Sequence, residues 1–173
     1  MRFSAIFVFA AAVLAAPFVF AVRYFICIFI KETMHMYDRI LKFFNDNDHF
    51  AKENGMAITR LEEGASEAVL TATDRHFNGM NIIMGGALFT LSDFAFAAAI
   101  HSFGFRAVGM NTTTAFLKPG KGVPGAKFTA RAKVVSRTRR TGVFDVNVYD
   151  DEGRLLTHSI MTGFITENPL FDD

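Results

Sequence analysis

The chain has 173 residues and a formal net charge of +1, from 18 basic and 17 acidic side chains. This length fits one domain of ordinary size, whose core needs no disulfide or structural metal. The balanced charge argues against a nucleic-acid-binding protein, because such proteins usually carry a strong basic excess. Cys27 is the only cysteine, which excludes an intramolecular disulfide and leaves residues 34–173 without thiol chemistry.

Residues 1–33 form a hydrophobic leader, and residues 34–173 form the folded domain. Residues 3–22 are apolar and long enough to cross a membrane once, and a second apolar run follows Arg23. Three interpretations stay open: a membrane anchor, a secretory signal, or a true start of translation at Met34 or Met36. The positive-inside rule leaves the domain of an anchored chain in the cytoplasm. We therefore expect a cytoplasmic protein, attached to a membrane only if the leader is genuine.

The first part of the domain predicts a short amphipathic helix and a hairpin. From Tyr37 onward, apolar residues recur at helical spacing as far as Gly55. Residues 56–62 and 65–73 then read as two strands joined by a turn at residues 63–64.

The rest of the domain predicts one long helix among further strands. Residues 86–101 are apolar on every side of a helical wheel, which is typical of a helix buried all round. Strands are predicted at 106–117, around 128–134 and 144–148, and at 155–165, the last three as a meander. One buried helix with five or six antiparallel strands indicates an α+β fold in which the sheet wraps around the helix.

Asp93 lies in the middle of this apolar helix. A lone carboxylate there is costly unless it is paired, hydrogen-bonded or protonated, and such groups are candidates for catalysis. The alternative is a structural carboxylate that bonds the hydroxyl groups of residues 112–114. Gly85 and Gly86 stand where the helix begins, so a ligand oxygen can approach bare N–H groups at the positive end of the helix dipole.

The loop before the helix carries two further candidates. Asn78 and Asn81 have amide groups that can orient a water or bond a carbonyl, although Asn-Gly is also a turn signal. The histidines and acids of the domain show no spacing that predicts a metal site.

Arg137, Arg139 and Arg140 form one basic cluster at the end of a strand, opposite the turn that carries Lys118. Solvated strand ends explain such a cluster. A phosphate-binding rim explains it equally well, because guanidinium and ammonium groups bind polyanions.

The stretch NGMNIIMGGALFTLSDFAFAAA, residues 78–99, resembles a family motif, N-G-x-G-x-x-H-G-G-x-x-x-x-L-x-D-x-A. This motif belongs to the hotdog-fold acyl-CoA thioesterases of the phenylacetate-degradation (PaaI-like) type. The chain can be aligned with this family from about residue 36 to 167. The resemblance implies a hotdog fold and homodimers that often pair into tetramers, with active sites at the dimer interface. It implies hydrolysis of an aryl- or fatty-acyl-CoA to free acid and coenzyme A. No cofactor is implied, since coenzyme A is part of the substrate.

The resemblance also assigns roles to single residues. Asp93 matches the catalytic carboxylate, acting as a general base on water or as a nucleophile at the thioester carbonyl. Asn78 matches the asparagine that helps to place the water or the substrate. Gly85 lies where the helix-start N–H polarises the thioester oxygen, and Gly86 allows close approach. The residues that fall where family members meet the coenzyme A phosphates are Lys118, Arg137, Arg139 and Arg140.

Two residues depart from the motif. Met84 stands where the motif has histidine, and Asn81 stands where it has a third glycine. Methionine cannot bond a carbonyl as histidine does, so we expect the rate or the substrate preference to differ. Met84 also keeps open a second hypothesis, a non-catalytic acyl-CoA-binding protein that uses the same groove.

Overall fold

The computed structural model describes Ile26, Glu32 and residues 34–172. The other residues of the predicted leader lie outside this set, so its three interpretations stay predictions. Within the described residues, no helix is both long enough and apolar enough to cross a bilayer. The compact unit described below begins at Tyr37.

Two helices precede the sheet where the sequence predicts one. Residues 34–47 are helical and are called α1, and α2 comprises His49–Glu53. The break falls at Asp48, whose backbone leaves the helical region (φ −80°, ψ 87°). Its carboxylate accepts the N–H of Ala51 at 3.1 Å as an N-cap. The single-helix prediction is therefore wrong, because this cap starts a new helix.

Six antiparallel strands form one sheet in the order β1-β2-β4-β5-β6-β3. The strands are β1 Met56–Glu62, β2 Ala65–Thr71, β3 Phe105–Phe116, β4 Lys127–Arg137, β5 Thr141–Tyr149 and β6 Leu155–Pro169. The predicted hairpin (β1 and β2) and the predicted meander (β4 to β6) are confirmed. β2 ends two residues earlier than predicted, because Ala72 pairs with the loop at Gly125 and Ala126.

Helix α3, Gly85–His101, packs against all six strands. Its apolar side chains and the inner face of the sheet form the core, whose fully buried members include Leu91, Ile100, Phe128, Phe144, Val146 and Leu156. A side-chain contact ties helix to sheet, since the hydroxyl of Ser66 donates to the carbonyl oxygen of Ala95. The predicted α+β arrangement, a sheet around one long helix, is confirmed.

One stripe of α3 is open to solvent in the single chain. Gly86, Phe89 and Asp93 are exposed, Phe89 by 40%, and their spacing places them on one side of the helix. The prediction of a helix buried all round is therefore wrong for one chain. The sheet covers the opposite side, and the described residues of the chain leave this stripe uncovered.

β3 lies at the edge of the sheet and pairs only with β6. Val108, Met110 and Phe116 on this strand are each about 60% exposed. Natural proteins normally shorten, charge or cover such an edge, because its free N–H and C=O groups can pair with another chain. This edge is twelve residues long, and its exposed apolar side chains favour cover by another chain.

Candidate active site

Asn78 shapes the loop that leads into α3. Its Oδ1 accepts the backbone N–H groups of Met80 at 2.9 Å and Ile82 at 3.1 Å, and its own N–H donates to the carbonyl oxygen of Ile82 at 2.9 Å. The two backbone donors fix which end of the amide is the oxygen. The turn role of Asn78 is therefore confirmed, and its NH₂ group donates to no described residue.

Asn81 adopts the left-handed backbone conformation, with φ at 56°. Glycine takes this conformation most easily, and asparagine is among the few other residues that tolerate it. The change from the motif's glycine to Asn81 therefore preserves the turn. The side chain of Asn81 is exposed and does not line the cavity described below.

The start of α3 has two free N–H groups. The N-cap residue Met84 is extended, 48% exposed, and forms no side-chain cap. Its carbonyl oxygen accepts the N–H groups of Ala87 and Leu88. The N–H groups of Gly85 and Gly86 donate to no group in the part of the chain that the structure describes. Because the first turn of a helix carries partial positive charge, these two groups can bind an oxygen that becomes negative.

A cavity of about 420 Å³ opens beside these groups. Its walls include Asn78, Gly85, Leu88, Phe116, Lys118 and Gly120. The structure therefore brings together three of the residues singled out in the sequence, Asn78, Gly85 and Lys118. It does not place Met84, Gly86, Asn81 or Asp93 on the wall of this cavity.

The two glycines at the helix start differ in their surroundings. A Cβ atom on Gly85 would lie 3.0 Å from the ring of Phe116, so this ring packs directly on the glycine. A Cβ atom on Gly86 would meet no atom of the chain within 4 Å. No side chain among the described residues therefore occupies the space in front of Gly86.

Asp93 is exposed, and its carboxylate accepts no hydrogen bond from a described residue. The structural alternative, a bond to a hydroxyl of residues 112–114, is wrong: the hydroxyl of Thr114 instead pairs with that of Ser159 at 2.8 Å. Although the residue is exposed, neighbouring protein atoms exclude enough water to raise the pKa of its carboxyl group, and the nearby negative charge of Asp48 raises that pKa further. A carboxylate with a raised pKa and no partner is suited to accept a proton.

Asp93 and the helix start are far apart within one chain. Eight residues of helix separate Gly85 from Asp93, which corresponds to about 12 Å along the axis. The two groups of one chain therefore cannot contact the same thioester carbonyl.

The basic cluster is also remote from the cavity. The Arg137 guanidinium lies 3.8 Å from the centre of the Phe103 ring, and Arg139 and Arg140 both pair with Glu167, at 3.0 and 2.7 Å. Arg137 ends β4 and the other two arginines follow it, whereas Gly120 on the cavity wall lies against Phe128 at the start of β4. A strand of this length spans about 33 Å. One chain thus does not bring its arginines together with Lys118.

Comparison with known proteins identifies the family. Residues 80–157 match the thioesterase superfamily. Over 107 residues the chain is 37% identical to the acyl-coenzyme A thioesterase PaaI of Escherichia coli K12. The aligned region covers 62% of this chain and 75% of that protein. The chain belongs to the PaaI-like thioesterases. The predicted membership is therefore confirmed.

Solved structures of similar proteins share the fold. The E. coli PaaI protein of the phenylacetic acid degradation operon superposes with a TM-score of 0.73 at 30% identity, covering 78% of this chain and 96% of that chain. A hypothetical thioesterase protein of Streptococcus pneumoniae TIGR4, solved with coenzyme A, gives a TM-score of 0.65 at 25% identity, covering 72% and 98%. The predicted hotdog fold is confirmed.

Two residues near the site escaped the sequence analysis. Phe116 covers Gly85, and Asp48 lies close enough to Asp93 to act on its pKa. The Asn-Asp run at residues 45–48 was a signal for a helix cap, since these residues favour caps over helix interiors. No signal in the sequence placed that cap near Asp93.

Proposed function

We propose that this protein hydrolyses aryl- or fatty-acyl-CoA thioesters to the free acid and coenzyme A, at sites that two copies of the chain share. The observation that carries this proposal is the unpartnered Asp93 carboxylate on the same PaaI-like helix that begins with two free N–H groups. One group accepts protons and the other binds a developing negative charge. A thioesterase needs both.

The helix start holds the thioester oxygen in this mechanism. The N–H groups of Gly85 and Gly86 donate to the carbonyl oxygen, and they bind it more strongly when it becomes an oxyanion. Removing one donor of this kind typically costs about 3 kcal/mol of transition-state stabilisation. The amide NH₂ of Asn78, on the wall of the adjoining cavity, positions the substrate or the attacking water.

Asp93 acts as the general base. It takes a proton from a water molecule while the water oxygen bonds to the carbonyl carbon. The C–S bond then breaks, its electron pair leaves on the sulfur of coenzyme A, and Asp93 returns the proton to that thiolate. The same position also suits direct attack by the carboxylate on the carbonyl carbon, with water hydrolysing the resulting anhydride. The reaction uses water and the residues of the chain, and coenzyme A enters with the substrate.

Three observations support a homodimer. The separation of Gly85 from Asp93 requires a second chain, the exposed stripe of α3 lacks cover, and the edge strand β3 is long and apolar. A two-fold axis that sets two α3 helices antiparallel brings Gly86 of one copy beside Asp93 of the other, twice. Pairing of the two β3 edges protects both. A tetramer built from two such dimers stays a prediction.

The antiparallel arrangement also explains the split basic residues. Arg137 lies on Phe103, just beyond the end of α3, and Lys118 lies at the opposite end of the sheet. When the two α3 helices are antiparallel, the C-terminal end of α3 in one copy lies beside the N-terminal end of α3 in the other. Cations of both copies then face the coenzyme A phosphates, with Arg139 and Arg140 exchanging Glu167 for phosphate oxygens.

The alternative function is non-catalytic binding of acyl-CoA. Met84 favours it, because methionine at the N-cap supplies no hydrogen-bond donor where the family motif has histidine. The two free N–H groups and Asp93 are unaffected by this replacement. We therefore place hydrolysis first.

Release of free thiol from a panel of aryl-acyl and fatty-acyl CoAs tests the proposal, with Asp93→Asn measured beside the wild type. We expect turnover by the wild type and a loss of about 10²–10⁴-fold in the variant, the usual contribution of a general base. Unchanged turnover in a folded Asp93→Asn variant contradicts the mechanism. Calorimetric binding of acyl-CoA by a wild type that releases no thiol selects the non-catalytic alternative.

The cytoplasmic location and any membrane attachment stay predictions from the sequence. Fractionation of the native protein and determination of its first residue test both. A soluble protein that begins near Met34 rules out the membrane anchor.

A further inference from the structure

A second cavity lies at the junction of α1 and α2. Its volume is about 290 Å³, and its walls are Phe43, Phe44, Asn47, Asp48 and His49. Two of these lining residues are aromatic and three are polar. Small-molecule pockets usually range from about 300 to 1,000 Å³. This cavity therefore suits a small group.

The cavity lies near the part of α3 that carries Asp93. The ring of Phe44 contacts that of Phe94, the residue after Asp93, with 6.2 Å between centroids, and it also contacts the His101 ring at 5.3 Å. These contacts pack α1 along α3, and α2 also packs on α3. Asp48 lies on the cavity wall, and its charge contributes to the raised pKa of Asp93.

The direction of the substrate follows from the proposed function, on which this inference rests. The coenzyme A arm leaves the thioester toward the cavity that holds Lys118, at the helix start of one copy. The acyl group must extend the other way, past Asp93 of the second copy. The cavity between α1 and α2 is the space that the described chain offers there.

The ionisable groups around Asp93 lie on the helices rather than on the inner face of the sheet. The strands packed on α3 turn apolar, glycine or hydroxyl side chains toward it. His101 lies on α3 itself, and besides Asp48 the neighbouring helices carry these ionisable side chains: His35, Tyr37, Asp38, Arg39, Lys42, Asp46, His49, Lys52 and Glu53. Lys42 and Asp46 pair with each other on the exposed side of α1, and His101 Nδ1 bonds the carbonyl oxygen of Ala97. Of these charged groups, Asp48 is the one that contributes to the raised pKa of Asp93.

We propose that the negative charge of Asp48 acts on two groups, the acyl group bound in this cavity and the catalytic base Asp93. The enzyme then favours small uncharged acyl groups over acyl groups that end in a carboxylate. An acyl chain such as succinyl or glutaryl would place its terminal carboxylate against Asp48. Like charges at such separations repel, and the low dielectric of a partly closed pocket strengthens the effect. Butyryl and other short neutral groups meet no such barrier.

Asp48→Asn tests this proposal with little risk to the fold. Asparagine is as good an N-cap as aspartate, so its side-chain oxygen still accepts the N–H of Ala51. The matched control is Asp46→Asn, which removes the same charge two residues away from a side chain that does not line the cavity. Asp48→Ser, another good cap, serves if the first variant folds poorly.

Two readouts are expected to change in the full-length Asp48→Asn variant and not in Asp46→Asn. The ratio of kcat/KM for glutaryl-CoA to that for butyryl-CoA rises about fivefold, the effect of one charge near 4 Å from another in water. The acid limb of the profile of kcat/KM against pH moves to lower pH, because Asp93 loses a like-charged neighbour. An unchanged ratio overturns the pocket role. An unchanged acid limb, or equal effects in Asp46→Asn, overturns the positioning role.

Failure of the proposed function gives a different result. A wild type that hydrolyses no neutral acyl-CoA contradicts the thioesterase proposal, whatever Asp48 does. The effect of Asp48 on Asp93 is then measured without turnover, by NMR titration of the Asp93 carboxyl carbon. A lower Asp93 pKa in Asp48→Asn than in the wild type supports the positioning role, and an equal pKa overturns it.

Discussion

At the scale of single residues, the site depends on which donor and acceptor atoms already form hydrogen bonds within the chain. Asn78 gives its oxygen to two backbone donors and keeps its NH₂ group free. Asp93 accepts no hydrogen bond from the described chain, and Gly85 donates none from its backbone. The free atoms are those that the proposed reaction uses.

Asn78→Asp separates the two tasks of this side chain. The aspartate oxygen still accepts the N–H groups of Met80 and Ile82, so the loop and the free energy of unfolding should change by less than about 0.5 kcal/mol. The NH₂ donor is lost and a negative charge faces the substrate, so kcat/KM should fall by about 10–100-fold. Thiol-release kinetics and urea unfolding measure both. Wild-type kcat/KM in this variant would show that Asn78 serves the turn alone.

The sequence identified Asp93, Asn78 and Gly85 because each departs from its local pattern or matches a specific motif. Asp48 could not be linked to Asp93 in the same way. The two residues are far apart in the chain, and only the packing of α1 and α2 on α3 brings their charges together. Phe116 reads as an ordinary strand residue until the structure places its ring on Gly85.

At the scale of the elements, the start of α3 leaves N–H groups free and is less stable than a capped helix start. Two glycines follow an N-cap residue that forms no side-chain cap, although a serine or aspartate there would satisfy a free donor. Glycine also lowers helix stability relative to alanine. Both choices keep the backbone open to a ligand.

Gly86→Ala tests this balance. Among the described residues, the added methyl group meets no side chain within 4 Å, so the variant should be more stable by about 0.4–1 kcal/mol. The same methyl group stands where the thioester approaches, so kcat/KM should fall by at least about tenfold. Thermal unfolding and thiol release measure the two effects. Gly85→Ala is the contrast, since its methyl group meets the Phe116 ring and should lower stability as well as activity. An active Gly86→Ala variant would place the thioester elsewhere.

Most strands and the long helix were predictable, because alternation and helical periodicity are local properties of the sequence. The wrong predictions of element boundaries lie where a specific contact overrides the local sequence pattern. Asp48 divides the first helix by capping a second one. Pairing with Gly125 and Ala126 ends β2 early.

At the scale of the whole molecule, the apolar composition of α3 supports the proposed dimer. The wheel is apolar on all sides, yet a single chain leaves Gly86, Phe89 and Asp93 open to solvent. In the proposed dimer, a second copy covers this stripe and accounts for both facts. The sequence could predict that the helix is buried, but it could not show that one stripe stays open in a single chain.

The shared site is the central claim, and mixed dimers test it most directly. Asp93→Asn and Gly86→Ala chains, each with a different affinity tag, are co-expressed, and the mixed dimer is isolated by sequential capture on both tags. One of its two sites then combines Asp93 of one chain with Gly86 of the other and is intact. We predict that its thiol-release activity recovers to about half that of the wild type, far above either parent variant. A mixed dimer no more active than its parents would show that each site lies within a single chain and would contradict the account.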